Sequence, residues 1–436
     1  MAPRRPDKKS KKRGKEAISR AAAAAAGGPS SSSSDKPALS PLVLVRAAEH
    51  RLQEGDAPGA AALAGSALEQ AQAAGDNDDK EDGTLAALNL LGQVNLELGD
   101  LEAARACFLR AVDADPNGAR DEVVGGGAEK FLCLAQLSEE GGRDSVAWFE
   151  RGAAALRARI QVLEEAGKGM IATTNSRSGA AGNSNGEEAG QQQRSELEEL
   201  KRKLAMTLCS VAEVYMTDLS WESDAEARCE ALVTEATLVA PDYAETWQTL
   251  ADVRISQQRP DDARAALARS LDLWRGLPPE DPLVPAFPSR VGLARLLMEV
   301  GLERDAIKVL ERLVAEDDLS VETWYLGGWG LFMLGEKQRE AEREKEKNGN
   351  KKAEGITKEE EDEEEDWKTS WISSRVWLNQ CLHLYKLQDY EDEPLGEHAQ
   401  ELLAEIAKEL GEAPVGEDDD EDGWEDAGDS DEEMQE

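Results

Sequence analysis

Nine acidic residues are the first candidates for chemistry in this sequence. Glu97, Glu129, Glu139, Glu140, Glu213, Glu245, Asp252, Glu299 and Glu322 recur at comparable points of successive helical segments. A row of carboxylates pairs with lysine ammonium and arginine guanidinium groups, and arginine does so in a two-pronged geometry. Tyr325, Trp329 and Phe332, followed by Met333, fall at the same register in one later segment. Aromatic faces also accept guanidinium groups, so acids and aromatics together suit an extended segment rich in Arg and Lys. The plainer reading is that glutamate is common on helix surfaces and that the aromatics pack between helices.

Other kinds of chemistry find little support. The three histidines, His50, His383 and His398, stand at no metal-ligand spacing with one another or with a cysteine. Gly125-Gly126-Gly127 and Gly167-Lys168-Gly169 lack the context of a phosphate-cradling loop. Cys107, Cys133, Cys209, Cys229 and Cys381 are scattered and fall mostly at apolar helix positions, which predicts reduced core residues of an intracellular protein. No catalytic residue, metal or cofactor is expected, and the chain reads as a non-enzyme.

A row of carboxylates needs a scaffold that repeats. The block Leu85–Gly118, 34 residues long, supplies one, with Leu88, Leu91-Gly92, Gly99-Asp100, Ala104, Phe108, Ala111 and Pro116 at tetratricopeptide (TPR) spacing. Gly92 and Ala104 let two helices approach, Leu91 and Phe108 fill the space beside them, and Pro116 stops the second helix. Upstream, Ala48, Gly55-Asp56, Ala60 and Ala67 repeat the spacing. A third repeat is expected from Ala128 to Glu165, with Ala135 facing Ala147 across Gly141-Gly142. A long helix from Ser195 to Asp218 pairs with one from Asp224 to Val239. Two clear repeats follow, placing Trp247, Leu250-Ala251, Ala263, Leu267 and Leu271, then Leu293-Ala294, Gly301, Ala306, Leu310 and Leu313. A seventh opens at Trp324 with Gly327-Gly328 at the close-contact position, and its second helix carries Trp371, Val376, Cys381, Leu384 and Leu387. A last amphipathic helix, Leu395 to Leu410, caps the stack.

Charge is placed unevenly along the 436 residues. The net value is −40, residues 1–20 carry +7, residues 412–436 carry −14, and the remainder carries −33. A body this acidic repels phosphate backbones, which speaks against direct nucleic-acid binding and for a basic protein as partner. No apolar run approaches a membrane span and no signal-peptide core opens the chain, so cytosol or nucleus is expected. Lys8, Lys9, Lys11, Lys12, Arg13 and Lys15 form a basic block that reads as a nuclear import signal or as a solubilising tail. The expected organisation is a disordered basic segment over 1–40, an all-α TPR superhelical solenoid of about seven repeats over 41–411, and a disordered acidic tail over 412–436. Stretches 167–194 and 336–368 are expected as disordered inserts, the second holding eight consecutive acids from Glu359 to Asp366.

The basic stub, the degenerate repeats, the Trp324–Glu336 segment with its charged insert and the tail EDDDEDGWEDAGDSDEEMQE together resemble one family. They are similar to the fungal dedicated assembly chaperones of the fourth large-subunit ribosomal protein. The resemblance implies a superhelical adaptor, monomeric without cargo, that captures the newly made ribosomal protein through that protein's long basic loop. It further implies delivery to pre-ribosomes, presence in nucleus and cytoplasm, and an import receptor as a further partner. No residue motif of the family transfers position by position, so the acidic and aromatic candidates rest on repeat register alone. A general TPR scaffold of a nuclear complex and an acidic histone carrier are the rival readings.

Overall fold

A computed structural model of the chain describes residues 40–73, 78–175, 184–347 and 366–411. The basic segment 1–39, with its import candidates, and the acidic tail 412–436 lie outside the described residues. Among the described residues the secondary structure is all-helical, in the antiparallel hairpins of a TPR solenoid. The chain divides into two compact units, one comprising residues up to Arg259 with Ala268–Leu273, the other Pro260–Leu267 with residues from Trp274 onward.

The first unit holds α1 (Pro41–Gln53), α2 (Ala57–Ala73), α3 (Asp78–Glu97), α4 (Leu101–Ala114), α5 (Glu129–Gln136), α6 (Gly142–Asn175), α7 (Ser184–Met216), α8 (Ala225–Val239) and α9 (Ala244–Ser256). Turn chemistry sets the hairpins. Gly55 and Gly99 take φ of 81° and 72°, the left-handed region that a side chain disfavours, and the next residue caps the following helix. Asp56 accepts from the Gly59 N–H at 2.9 Å and Asp100 from the Ala103 N–H at 3.1 Å. Ala48, Ala60, Ala67, Ala104 and Phe108 are all fully buried, as the spacing predicts. A methyl group on Gly92 would lie 2.5 Å from the Phe108 ring, so glycine there is a packing requirement.

The third repeat departs from expectation. Ala147 is exposed, and Ser145, Val146 and Phe149 turn inward, Ser145 Oγ donating to the Ala135 carbonyl at 2.8 Å. Two successive glycines at positive φ, Gly141 and Gly142, start α6 early and rotate the face it presents. The predicted loop over 167–194 is also corrected in part. Residues 167–175 extend α6 and 184–194 open α7, while 176–183 lie outside the described residues. Glutamine, glutamate and alanine are good helix formers, and the two helices are tied by Arg159–Glu196 at 2.8 Å and Gln193 Nε2 to the Leu163 carbonyl at 3.2 Å.

Asp115 does more than end α4. Its carboxylate accepts from the buried Lys130 ammonium at 2.9 Å, and Lys130 also donates to the Gly127 carbonyl at 2.9 Å. Burying one such charge unpaired costs several kcal/mol, at about 3–5 for a broken pair, so the pair fixes how α4 meets α5. Burial pulls the Lys130 ammonium below its ordinary range against the pull of Asp115.

The helix α10 (Pro260–Trp274) contributes residues to both units. The second unit continues with α11 (Phe287–Glu299), α12 (Glu303–Glu316), α13 (Val321–Lys347), α14 (Trp367–Leu387) and α15 (Glu393–Leu410). Leu293, Ala294, Ala306, Leu310 and Leu313 are fully buried at the predicted positions. Gly327 and Gly328 let α14 approach α13 so closely that added methyl groups would meet Trp377 at 2.1 Å and Leu378 at 2.7 Å. Val376 and Leu387, expected inside, are exposed, and Ser374 and Leu378 take their place. Ser374 can do so because its hydroxyl donates to the Gly328 carbonyl at 2.7 Å. Residues 336–347 of the expected second insert continue α13, Asp366 caps α14, and 348–365 lie outside the described residues. Arg339 holds that extension in place, paired with Glu409 at 2.7 Å and seated 5.1 Å and 5.2 Å from the Trp367 and Trp371 ring centres.

Candidate functional site

In the first unit α3, α5, α7 and α9 are the leading helices of their hairpins, and the predicted acids fall to different fates on them. Glu213 of α7 and Asp252 of α9 come together. Glu213 is open to solvent yet crowded by surrounding protein, which raises its carboxyl above the ordinary range, and the charge of Asp252 raises it further. Glu245, two turns before Asp252 on α9, is half-buried, and burial lifts its carboxyl against the opposing pull of its own backbone N–H, the Tyr243 hydroxyl and the Arg202 charge. Burial also drives the neighbouring Cys209 thiol up to about 12, so it is no nucleophile. Glu213 interacts with Asp252, and Glu213 and Glu245 both act on Cys209, so the carboxylates gather in one seat where a cation favours the ionised form of Glu213 and Glu245 that burial disfavours.

The remaining acids of this unit do not join that seat. Glu129 is matched by Lys203 of α7 in a short ion pair. Glu139 and Glu140 are exposed in the turn after α5, because that helix stops at Gln136 and never carries them onto its face. Glu97 is exposed at the last residue of α3. Tyr243 and Lys203 escaped the sequence reading. The first precedes its helix and the second is a base on an adjacent leading helix, a signal that pairing acids with bases across repeats could have found.

In the second unit the same register gives closed arrangements. Glu322 of α13 is ion-paired with Arg295 of α11, and Glu299 is exposed at the end of α11. Tyr325 meets His398 of α15, hydroxyl to Nδ1, at 2.7 Å, and Trp329 stands edge-on to the same imidazole at 5.4 Å. Phe332, expected on the binding face, is buried and stacked on Trp371 at 4.9 Å with ring planes 8° apart. It is core, because α14 supplies a flat partner that bare periodicity could not place. No group of His, Cys, Asp and Glu able to hold a metal occurs among the described residues, and none of their helices is long and apolar enough to cross a membrane.

A tetratricopeptide-repeat profile matches residues 85–117. A protein of Emericella nidulans named "Probable assembly chaperone of rpl4" is 44% identical over 376 residues, covering 85% of this chain and 82% of that one. A Schizosaccharomyces pombe protein of the same name is 32% identical over 371 residues, covering 85% and 93%. The solved structure of "Assembly Chaperone of RpL4 (Acl4)", residues 1–338, is 54% identical and superposes with a TM-score of 0.59 over 70% of this chain and 100% of its own. The chain belongs to the tetratricopeptide-repeat family whose curated members are named as probable assembly chaperones of rpl4.

Proposed function

We propose that this protein is a non-enzymatic chaperone dedicated to the ribosomal protein for which its relatives are named. It holds a basic, RNA-binding segment of newly made ribosomal protein L4 on the carboxylates of Glu213, Glu245 and Asp252. The observation that carries this reading is the identity of 44% over 376 residues with a relative named for assembling rpl4. The acidic seat supplies the physics. A cluster of carboxylates destabilised by their own surroundings gains most from a polycation, and a charge of −40 on the chain speeds its arrival. Shielding prevents premature contact with RNA, and release follows when ribosomal RNA offers a denser array of charge. Import to the nucleus through the basic block at Lys8–Lys15 belongs to the same proposal.

The test is affinity purification of the tagged protein from its own cells at moderate salt. One ribosomal protein, L4, without the rest of the large subunit is the expected stoichiometric partner. Histones, or a neutral multisubunit complex whose affinity ignores salt, would overturn the reading. Deleting residues 1–20 should leave L4 binding intact and shift the protein toward the cytoplasm in live-cell imaging. Unchanged nuclear signal would remove the import role.

A further inference from the structure

Helix α14 stands apart from the rest of this acidic protein. It is the one helix among the described residues that carries no Asp or Glu, and its cations Lys368, Arg375 and Lys386 make no ion pair among those residues. Its outer face is also uncovered. Lys368, Ile372, Val376, Asn379, His383 and Lys386 recur at helical spacing and are all exposed. Ile372 and Val376, one turn apart, keep 54% and 61% of their surface in water. Single exposed apolar residues are ordinary, but an adjacent pair set between unpaired cations is a stripe with no partner in the fold. What would cover it must be acidic and in part apolar.

A segment of that chemistry begins on this same helix. The Arg375 guanidinium donates to the Gly411 carbonyl at 2.9 Å, which ties the last described residue to α14 beside Val376. From there residues 412–436 carry fourteen acids and no base, with Pro414-Val415 and Trp424 among them. Lys408, one turn before Gly411 on α15, is exposed and likewise makes no ion pair among the described residues. The end of α15 lies toward the start of α14, because Arg339 both pairs with Glu409 and seats on the Trp367 ring. Reach is no obstacle, since α14 spans about 31 Å and twenty-five residues extend to about 80 Å. Tethering at Gly411 makes every further contact intramolecular, at an effective concentration on the order of mM.

We infer that the outer face of α14 is the docking site for the chain's own acidic segment, residues 412–436. Pro414-Val415, three and four residues past the anchored glycine, cover Ile372 and Val376. The run Glu417–Asp422 then meets Lys368 and Lys408, cations that have no carboxylate elsewhere among the described residues. A free polyanion such as RNA would have to approach a chain of net charge −40 to reach the same face, whereas the tethered segment is already there. The basic block Lys8–Lys15 is the competing complement within the chain, and the test separates the two. The inference does not depend on which cargo the protein carries.

The experiment is zero-length carbodiimide coupling of lysines to carboxylates in the full-length protein, at low and at high salt, with the joined peptides identified by mass spectrometry and a melting curve for each variant. The expected products join Lys368 or Lys408 to carboxylates of Glu417–Asp422 within one chain, at every protein concentration, and they fade at high salt. Ile372→Gln with Val376→Gln keeps both lysines and adds no charge. It is expected to lower that yield by about threefold with melting unchanged, because both side chains are exposed and only the apolar cover is lost. Coupling of the acidic segment to Lys8–Lys15 instead, products found only between chains, or a yield on the double variant equal to wild type would each overturn the assignment. Crosslinking of a single-stranded RNA to α14 in the unmodified protein would give the face to nucleic acid and overturn it as well.

Discussion

The leading helices of the two units carry acids and aromatics at the same repeat positions, and the surrounding residues put them to opposite uses. In the first unit Glu213 and Asp252 confront each other and Glu245 is half-buried beside Tyr243, an arrangement that raises the Glu213 and Glu245 carboxyls. In the second unit Glu322 is matched by Arg295, Tyr325 by His398 and Phe332 by Trp371. On the first surface burial still disfavours the ionised Glu213 and Glu245, a state that a cation improves, whereas on the second Glu322, Tyr325 and Phe332 each meet a named partner within the fold. A repeat position therefore fixes the direction in which a side chain points, and the neighbouring helix decides whether anything is left for a ligand.

The largest effect that separates the two uses is expected at Phe332. If it is core, Phe332→Ala removes a buried ring from its stack and costs about 3–4 kcal/mol of stability. Denaturant unfolding should show the loss, and hydrogen exchange should place it in α13 and α14. Below the melting transition, L4 affinity should be unchanged. Intact stability with lost affinity would return Phe332 to the binding face and erase the contrast between the units.

Next in size is the seat itself. Glu245→Lys combined with Asp252→Lys should reduce L4 affinity by about a hundredfold, near 3 kcal/mol, the scale measured for desolvated charge pairs at interfaces. Because Glu245 is half-buried, Glu245→Gln with Asp252→Asn is the gentler companion, expected to lose about tenfold while the melting curve holds. Affinity retained by both variants would mean that the seat is an ordinary solvated surface.

Much of this architecture is legible in the residues, and the failures are local. The alanines and glycines at close contacts, from Ala48 to Gly328, are legible because only small residues let helix backbones approach, a constraint carried by each residue alone. The approach of Glu213 to Asp252 is legible because their helices have unbroken register. Ala147 is misplaced because two glycines rotate the start of α6, and Glu139 and Glu140 because α5 ends within two turns or so of its start. Phe332 and Glu129 fail for another reason. Trp371 lies 39 residues beyond Phe332 and Lys203 lies 74 beyond Glu129, and nothing in local periodicity reports a partner that distant.

The contrast also predicts opposite signs of pH dependence. A carboxyl raised on folding binds its proton more tightly in the folded state, so the contribution of Glu213 and Glu245 to stability falls as pH rises from the ordinary value of 4.5 through their raised values. In the second unit the Arg290 guanidinium, held to Glu316 at 2.5 Å and 2.7 Å, lowers that carboxyl. Its contribution is present above 4.5 and is lost as pH falls through the lowered value. Glu230, lowered by Arg254, adds the same acid-side loss within the first unit, so the measurement must be a difference between wild type and variant. Melting temperature against pH should show Glu213→Gln and Glu245→Gln gaining relative to wild type as pH rises above 4.5, and the deficit of Glu316→Gln shrinking as pH falls below 4.5. A cation bound at the seat reverses the first trend, so L4 affinity should rise with pH over the same range.

The smallest effect is the sharpest test of whether the second unit is closed. Glu322 and Arg295 are partly exposed, and such a pair is worth about 0.5 kcal/mol, so Glu322→Gln should barely move stability. If Arg295 already satisfies the carboxylate, L4 affinity should change by less than about twofold as well, because a cargo cation would have to displace a guanidinium of equal charge. Arg295→Ala distinguishes this from simple irrelevance. It leaves Glu322 facing solvent with its charge uncompensated, and L4 affinity should then increase by a few fold, most visibly at low salt where exposed charges are least screened. If Glu322→Gln instead costs about tenfold while Arg295→Ala gives no gain, the carboxylate is already in the hands of the cargo, and the second unit shares the work assigned here to the first.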